Sequence, residues 1–233
     1  MRICAITVYA GSEALVEMTE SMLKQFRECH GFKGKVMAFN NGAARSIDEK
    51  LVDWQGESPT NLGFGKAVNW LLEMALFVDP TEQFSHVLVL NNDLEFPERS
   101  WLVELLKEAK GTLVLSPCTD RTATKEALAK RGFDKPPIRC GQVSAFCWLV
   151  PVDVIKSIRA EYGYNLFDPD FFAYGEDDYA SAVLRKKFNR QPFKVVPRSW
   201  VRHLKGKTGK EMGMGGGMPK NLALLAKKVK KLR

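Results

Sequence analysis

Short apolar runs alternate with amphipathic stretches along the first half of the chain. Ile3 to Val8 is continuous, β-rich and bounded by Gly11, which predicts a buried strand rather than a leader segment. Ser12 then stands where a helix cap belongs. Leu15, Val16, Met22, Leu23 and Phe26 follow at helical spacing until Gly31 and Gly34. Lys35 to Phe39 predicts a second strand, stopped by an Asn40-Asn41-Gly42 turn. A helix opens at Asn61-Leu62-Gly63-Phe64-Gly65 and runs to about Val78, and His86 to Leu90 is a third apolar run. A helix over 97–109 and a strand over 112–115 come next.

Strand and helix in strict alternation predict an α/β fold, a mainly parallel sheet with helices on both faces. Such sheets bind ligands beyond the carboxyl ends of their strands. Thr7 to Tyr9, Asn40 and Asn91-Asn92-Asp93 all fall there. The second half is less regular. Residues 116–139 read as a polar loop, Gln142 to Val150 as a strand, Pro151 as the start of a short helix, Glu176 to Phe188 as a helix and Phe193 to Val196 as a late strand. Thr208 to Pro219 is rich in Gly and Met and predicts a mobile loop. Asn221 to Leu232 predicts a basic helix.

Composition changes this picture in two places. Of 233 residues, 45% are hydrophobic and 27% charged, enough for a sizeable core, and no apolar run reaches membrane-spanning length. The five cysteines make an odd set without paired CxxC spacing, which suits reduced thiols in a cytoplasmic protein rather than a disulfide framework or a zinc site. The net charge of +8 lies entirely after Leu204; the first 204 residues are neutral. The basicity therefore belongs to a tail, expected to act apart from the chemistry and to meet an anionic partner such as DNA or a membrane surface.

In order, the segments ITVYAGSEALVEMTESML, VMAFNNGAARSID, NLGFGKAVNWLLEMA, HVLVLNNDLEF, GQVSAFCWLVPVDVI, FDPDFFAYGEDDYASAVLRKK and VRHLKGKTG span residues 3–209. Together they resemble family 2 glycosyltransferases of the GT-A fold, in particular the rhamnosyltransferase-like branch. The resemblance implies a nucleotide-sugar-binding half over 1–95, an acceptor and catalytic half over 96–207, and a flexible loop with a basic tail over 208–233. It implies a nucleoside diphosphate sugar as donor. Thr7, Tyr9 and Asn40 would meet its base and ribose; Gly63, Lys66 and Asn69 would lie near its diphosphate at a helix N-terminus.

Asn91-Asn92-Asp93 occupies the place of that family's DxD motif, with Asn91 replacing the first carboxylate. The resemblance makes Asp93 a ligand of Mn²⁺ or Mg²⁺ and His203, in VRHLKG, a second one. A cation bridging the phosphates would stabilise the charge of the leaving group. In FFAYGED, Asp177 matches the family's base and Glu176 a residue beside it, while Asp178 is explained by the helix dipole alone. One base with no covalent carboxylate implies an inverting transfer. Trp148 and Tyr174 are candidate acceptor contacts, for an acceptor that is a glycan, a lipid-linked glycan or a hydroxylated nucleobase. Three other classes compete. A nucleotidyltransferase would need a basic Gly-rich loop after the first strand, which ITVYAGSEAL lacks. A binding protein without catalysis is compatible with the two missing carboxylates, and a nucleic-acid-binding protein with the tail. No zinc, homeodomain or RNA-recognition motif accompanies that tail.

Overall fold

The computed structural model describes residues 1–78, 83–111, 113–119, 136–188, 190–204 and 218–232. Its centre is an eight-stranded sheet in the order β3-β2-β1-β4-β8-β6-β9-β7. Strand β1 (Ile3–Gly11) lies between β2 (Gly34–Ala43) and β4 (His86–Asn91), parallel to both, and β3 (Trp54–Ser58) extends the parallel set at the edge. With helices against its faces, β1 is buried on both sides, which is why its sequence is a continuous apolar run rather than an alternating one.

Helix α1 (Glu13–Arg27) buries Leu15, Val16, Thr19, Met22, Leu23 and Phe26, one stripe at helical period. Helix α2 (Phe64–Glu73) starts at Gly63 and continues as a π-helical turn over Met74–Val78. These confirm the predicted helices to within a turn. Strand β2 differs. It passes through Asn40-Asn41-Gly42 instead of turning, because β3 pairs beside it, Asn40 opposite Glu57 and Asn41 opposite Ser58.

After β4 the direction changes. Strand β8 (Cys147–Pro151) pairs with β4 antiparallel, from His86 opposite Pro151 to Leu90 opposite Cys147. Beyond it lie β6 (Val114–Cys118), β9 (Phe193–Trp200) and, at the far edge, β7 (Ile138–Cys140). Residues 116–118 and 138–140 are thus strands, not loop; 120–135 lie outside the described residues. Helix α3 (Trp101–Lys107) packs near β9, and α4 (Val152–Tyr162) follows β8 directly. A second sheet consists of two short strands, β5 (Leu94–Glu95) and β10 (Arg202–His203).

Helix α5 (Glu176–Lys187) opens on Gly175 at φ 92°, and the chain's last helix, α6 (Met218–Leu232), packs against it. Leu224, Leu225, Val229 and Leu232 lie against the main core. The basic segment is therefore docked on the fold, not detached from it. The Gly- and Met-rich stretch read as a mobile loop lies, up to residue 217, outside the described residues. All five cysteines are buried, and none is joined in a disulfide. Among the described residues no helix is long and apolar enough to cross a membrane.

Candidate active site

A cleft of about 300 Å³ opens where the carboxyl ends of β1, β2 and β4 meet the approach to β8. Tyr9 comes from β1, Asn41 from β2, Asn91 from the end of β4, and Ser144 to Phe146 from the segment before β8. The backbone N–H of Asn91 donates to Phe146 O at 2.9 Å, so the two strand ends are joined at the cleft floor. Tyr174, Glu176 and Asp177 complete the lining.

The pairing of β5 with β10 brings Asp93 and His203 together across 110 residues of sequence. His203 stands opposite Leu94, Arg202 opposite Glu95, and Arg202 reaches Glu95 at 2.9 Å. Leu204 N–H donates to Asp93 O at 2.9 Å. As a result His203 Nε2 lies 3.1 Å from Asp93 Oδ1 and 3.4 Å from Asn91 Nδ2, with its ring stacked on Phe146. Asp93 is almost fully buried, yet among the described residues its Oδ1 has no aligned hydrogen-bond donor. An orphaned buried carboxylate oxygen beside an imidazole nitrogen suits a divalent cation. Among the described residues no group of three or more His, Cys, Asp or Glu side chains is placed to hold a metal ion.

Glu176 and Asp177 form the first turn of α5. Asp177 accepts hydrogen bonds from Asp178 N–H at 2.9 Å and from Ala145 N–H at 3.3 Å. Burial, and then the Asp178 charge, push its carboxyl up to about 6 in spite of those bonds. Glu176 Oε2 is sealed from solvent and has no hydrogen-bond partner among the described residues. Burial, with Asp177 beside it, pushes Glu176 up to about 7. Two adjacent carboxyls on the cleft wall are thus both shifted toward a higher affinity for protons.

The sequence-predicted residues fall into two groups. Tyr9, Asn91, Asn92, Asp93, Tyr174, Glu176, Asp177 and His203 all line the cleft. Within that set Tyr9 spends its hydroxyl accepting from Ile47 N–H at 3.2 Å, and Asn92 donates to Thr19 Oγ1 at 3.2 Å on α1. The other six expected contacts lie outside that lining. Thr7 is buried mid-strand and Asn40 closes its own strand by accepting from Ala43 N–H at 2.7 Å; neither lines the cleft. Lys66 is exposed on α2, outside the lining. Asn69 ties down the next segment instead of facing a ligand, accepting from Leu166 N–H at 3.0 Å and Phe167 N–H at 3.1 Å. Trp148 is fully buried between Phe167 and Phe193, its indole N–H donating to Ser144 O at 3.0 Å, so it packs in the core.

Gly63 has a packing reason. Its φ is 86°, and a Cβ there would lie 2.3 Å from Phe172 O, so only glycine admits the loop that leads to Glu176. Residues overlooked in the sequence include Asn41 and Asn61. Asn41 accepts from Leu62 N–H at 2.8 Å and donates to Asn61 Oδ1 at 2.9 Å, which in turn accepts from Gly63 N–H at 2.8 Å. Both side chains border the cleft, and their appearance in a supposed turn and in a helix-opening motif concealed them.

This arrangement is the GT-A fold. No protein-family model and no curated protein sequence matches the chain. Among solved structures it resembles the mannosyltransferase PcManGT from Pyrobaculum calidifontis in complex with GDP-Man and Mn²⁺ (TM-score 0.62, 15% identity, 89% of this chain and 58% of that one). It also resembles TarS 1–349 from S. aureus in complex with UDP-GlcNAc (TM-score 0.55, 12% identity, 90% and 61%). A third is glucosyl-3-phosphoglycerate synthase from Mycobacterium tuberculosis in complex with phosphoglyceric acid (TM-score 0.61, 11% identity, 98% and 80%). The chain spans about three fifths of the length of the first two.

The raised carboxyls make a stability prediction with a definite sign. A Glu176 pushed up to about 7 contributes stability below its ordinary range and loses that contribution as pH rises through 7. Glu176→Gln cannot ionise, so its melting temperature should gain on the wild type between pH 5 and pH 8, at about 2–4 °C per kcal/mol for a chain of this size. A difference that stays flat over that range contradicts the burial of this carboxyl.

Proposed function

We propose that the chain is an inverting, nucleotide-sugar-dependent glycosyltransferase. The observation that carries this reading is the convergence, in one cleft of a GT-A fold, of Asp93 with His203 and of Glu176 with Asp177. The GDP-Man, UDP-GlcNAc and Mn²⁺ of the similar structures make GDP- and UDP-sugars the donors to examine first.

Asp93 and His203 would hold a divalent cation, with further ligands from the donor's phosphates, and the cation would offset the charge of the departing nucleoside diphosphate. Asp177 acts as general base. The acceptor hydroxyl attacks the anomeric carbon, the bond from that carbon to the phosphate oxygen breaks, and the hydroxyl proton passes to the Asp177 carboxylate. Attack opposite the leaving group inverts the anomeric centre. Tyr9, Asn41 and Asn61 border the donor side, and Tyr174 the acceptor side. Glu176, with its higher affinity for a proton, keeps a second negative charge away from Asp177 below neutral pH.

The outer face of α6 exposes Lys227, Lys230 and Lys231 together with Leu222, Ala223 and Ala226, and the helix carries no acidic residue. Apolar side chains set among cations suit an anionic lipid surface, where an acceptor on a lipid carrier would lie.

Asp177→Asn should lower transfer from UDP- or GDP-sugars by about a hundredfold or more, the usual scale for a lost general base, while leaving donor binding within about twofold. Near-normal turnover of this variant removes Asp177 from its role. Separately, Lys227→Glu with Lys230→Glu and Lys231→Glu should abolish salt-sensitive binding to vesicles containing anionic lipid. Unchanged vesicle binding, or a stronger preference of the wild type for duplex DNA, contradicts the lipid reading.

A further inference from the structure

Glu176 and Asp177 are delivered to the cleft by residues 165–175, a segment without regular structure that is fastened at both ends. At its start Asn165 Nδ2 donates to Asn69 O at 2.9 Å, and Asn69 holds the backbone of Leu166 and Phe167. Near its end Tyr174 adopts φ 64° and Gly175 φ 92°, two consecutive left-handed residues immediately before α5. A tyrosine is costly in that conformation, so something outside the segment must hold it there.

Helix α6 makes several contacts with this segment. Lys228 Nζ lies 2.5 Å from Asp168 Oδ2 and 2.7 Å from Asp170 Oδ2, bridging both carboxylates. Asp168 is buried, and its other oxygen caps the same turn by accepting from Asp170 N–H at 3.0 Å. The Lys228 ammonium also stands 5.9 Å from the Phe171 ring and 5.7 Å from that of Tyr179, which locates it between the segment and α5. About two helical turns earlier, the Asn221 amide donates to Ala173 O, the carbonyl just before Tyr174.

We propose that Lys228 is a positioning residue, and that α6 is a clasp holding residues 168–175 in the conformation that turns Glu176 and Asp177 into the cleft. The inference rests on the transferase reading for what the carboxylates do, but the clasp itself is a statement about this segment's geometry. It gives the C-terminal helix a part in catalysis that is separate from its exposed lysines, since Lys228 faces inward.

The experiment compares Lys228→Met, Lys228→Arg and the milder Asp170→Asn in full-length protein. Steady-state transfer and hydrogen exchange of the 168–176 peptide are both measured. Lys228→Met should lower kcat about tenfold with donor KM within about twofold, because misplacing a reacting group costs the chemical step rather than binding. Lys228→Arg, whose guanidinium spans two carboxylates, should restore most of that loss, and Asp170→Asn should lie between. Exchange of the 168–176 peptide should be about fivefold faster in Lys228→Met while β1 and β4 stay unchanged. Unchanged kcat and exchange in Lys228→Met overturn the proposal, as does a loss that Arg does not rescue or that falls equally on donor KM. If the wild type transfers from no donor, the transferase reading fails instead, and the exchange rates alone decide whether the clasp exists.

Discussion

The structure depends on one change of strand direction. From β3 to β4 every pairing is parallel, so the carboxyl ends of four strands gather at one edge; β8 then pairs antiparallel with β4. The chain entering β8 must therefore arrive at the same edge where β4 leaves. The Asn91 N–H to Phe146 O bond at 2.9 Å is the joint. It sets Asn91-Asn92-Asp93 beside Ser144 to Phe146. It also gives α5 a surface to meet, since Ala145 N–H is one of the donors on Asp177.

The two acidic features of this cleft are built in different ways, and the difference matches the work proposed for them. Asp93 is anchored through its backbone by β5 and Leu204, which frees one buried carboxylate oxygen beside an imidazole. Such an oxygen gains most from a cation. Glu176 and Asp177 sit instead in a wall with few donors, where burial raises their affinity for protons. One environment favours charge neutralisation by a metal, the other proton exchange near neutral pH. Both are set by what surrounds the carboxylates, not by their residue type.

The alternation of elements in the first half was legible because β1, β4 and α1 carry their periodicities openly: continuous apolar runs for doubly buried strands, one stripe for a surface helix. Asp93, His203, Glu176 and Asp177 were found through a family resemblance and do meet in one cleft. What escaped depended on distant partners. Asn40-Asn41-Gly42 has turn chemistry, but pairing with β3 keeps Asn40 and Asn41 in the strand, and Gly42 (φ 79°) is needed because Thr60 and Asn61 approach it closely. Trp148 looked like a ligand contact because sequence cannot tell an aromatic beside a cleft from one beneath it. The two-residue strands β5 and β10 carry no pattern at all. With α6 a signal was present. Leu225, Val229 and Leu232 repeat at helical spacing, but the lysines between them drew the reading toward a free tail.

The central claim is that the cleft at the end of β4 binds a nucleoside diphosphate through a cation held by Asp93. Calorimetric titration of UDP and of GDP into the protein, with Mn²⁺ and then with excess chelator, tests it most directly. The account predicts saturable binding of at least one nucleotide with Mn²⁺, and loss of about tenfold or more in affinity on chelation or in Asp93→Ala. Equal affinity in all three conditions, or no binding of either nucleotide, would contradict it.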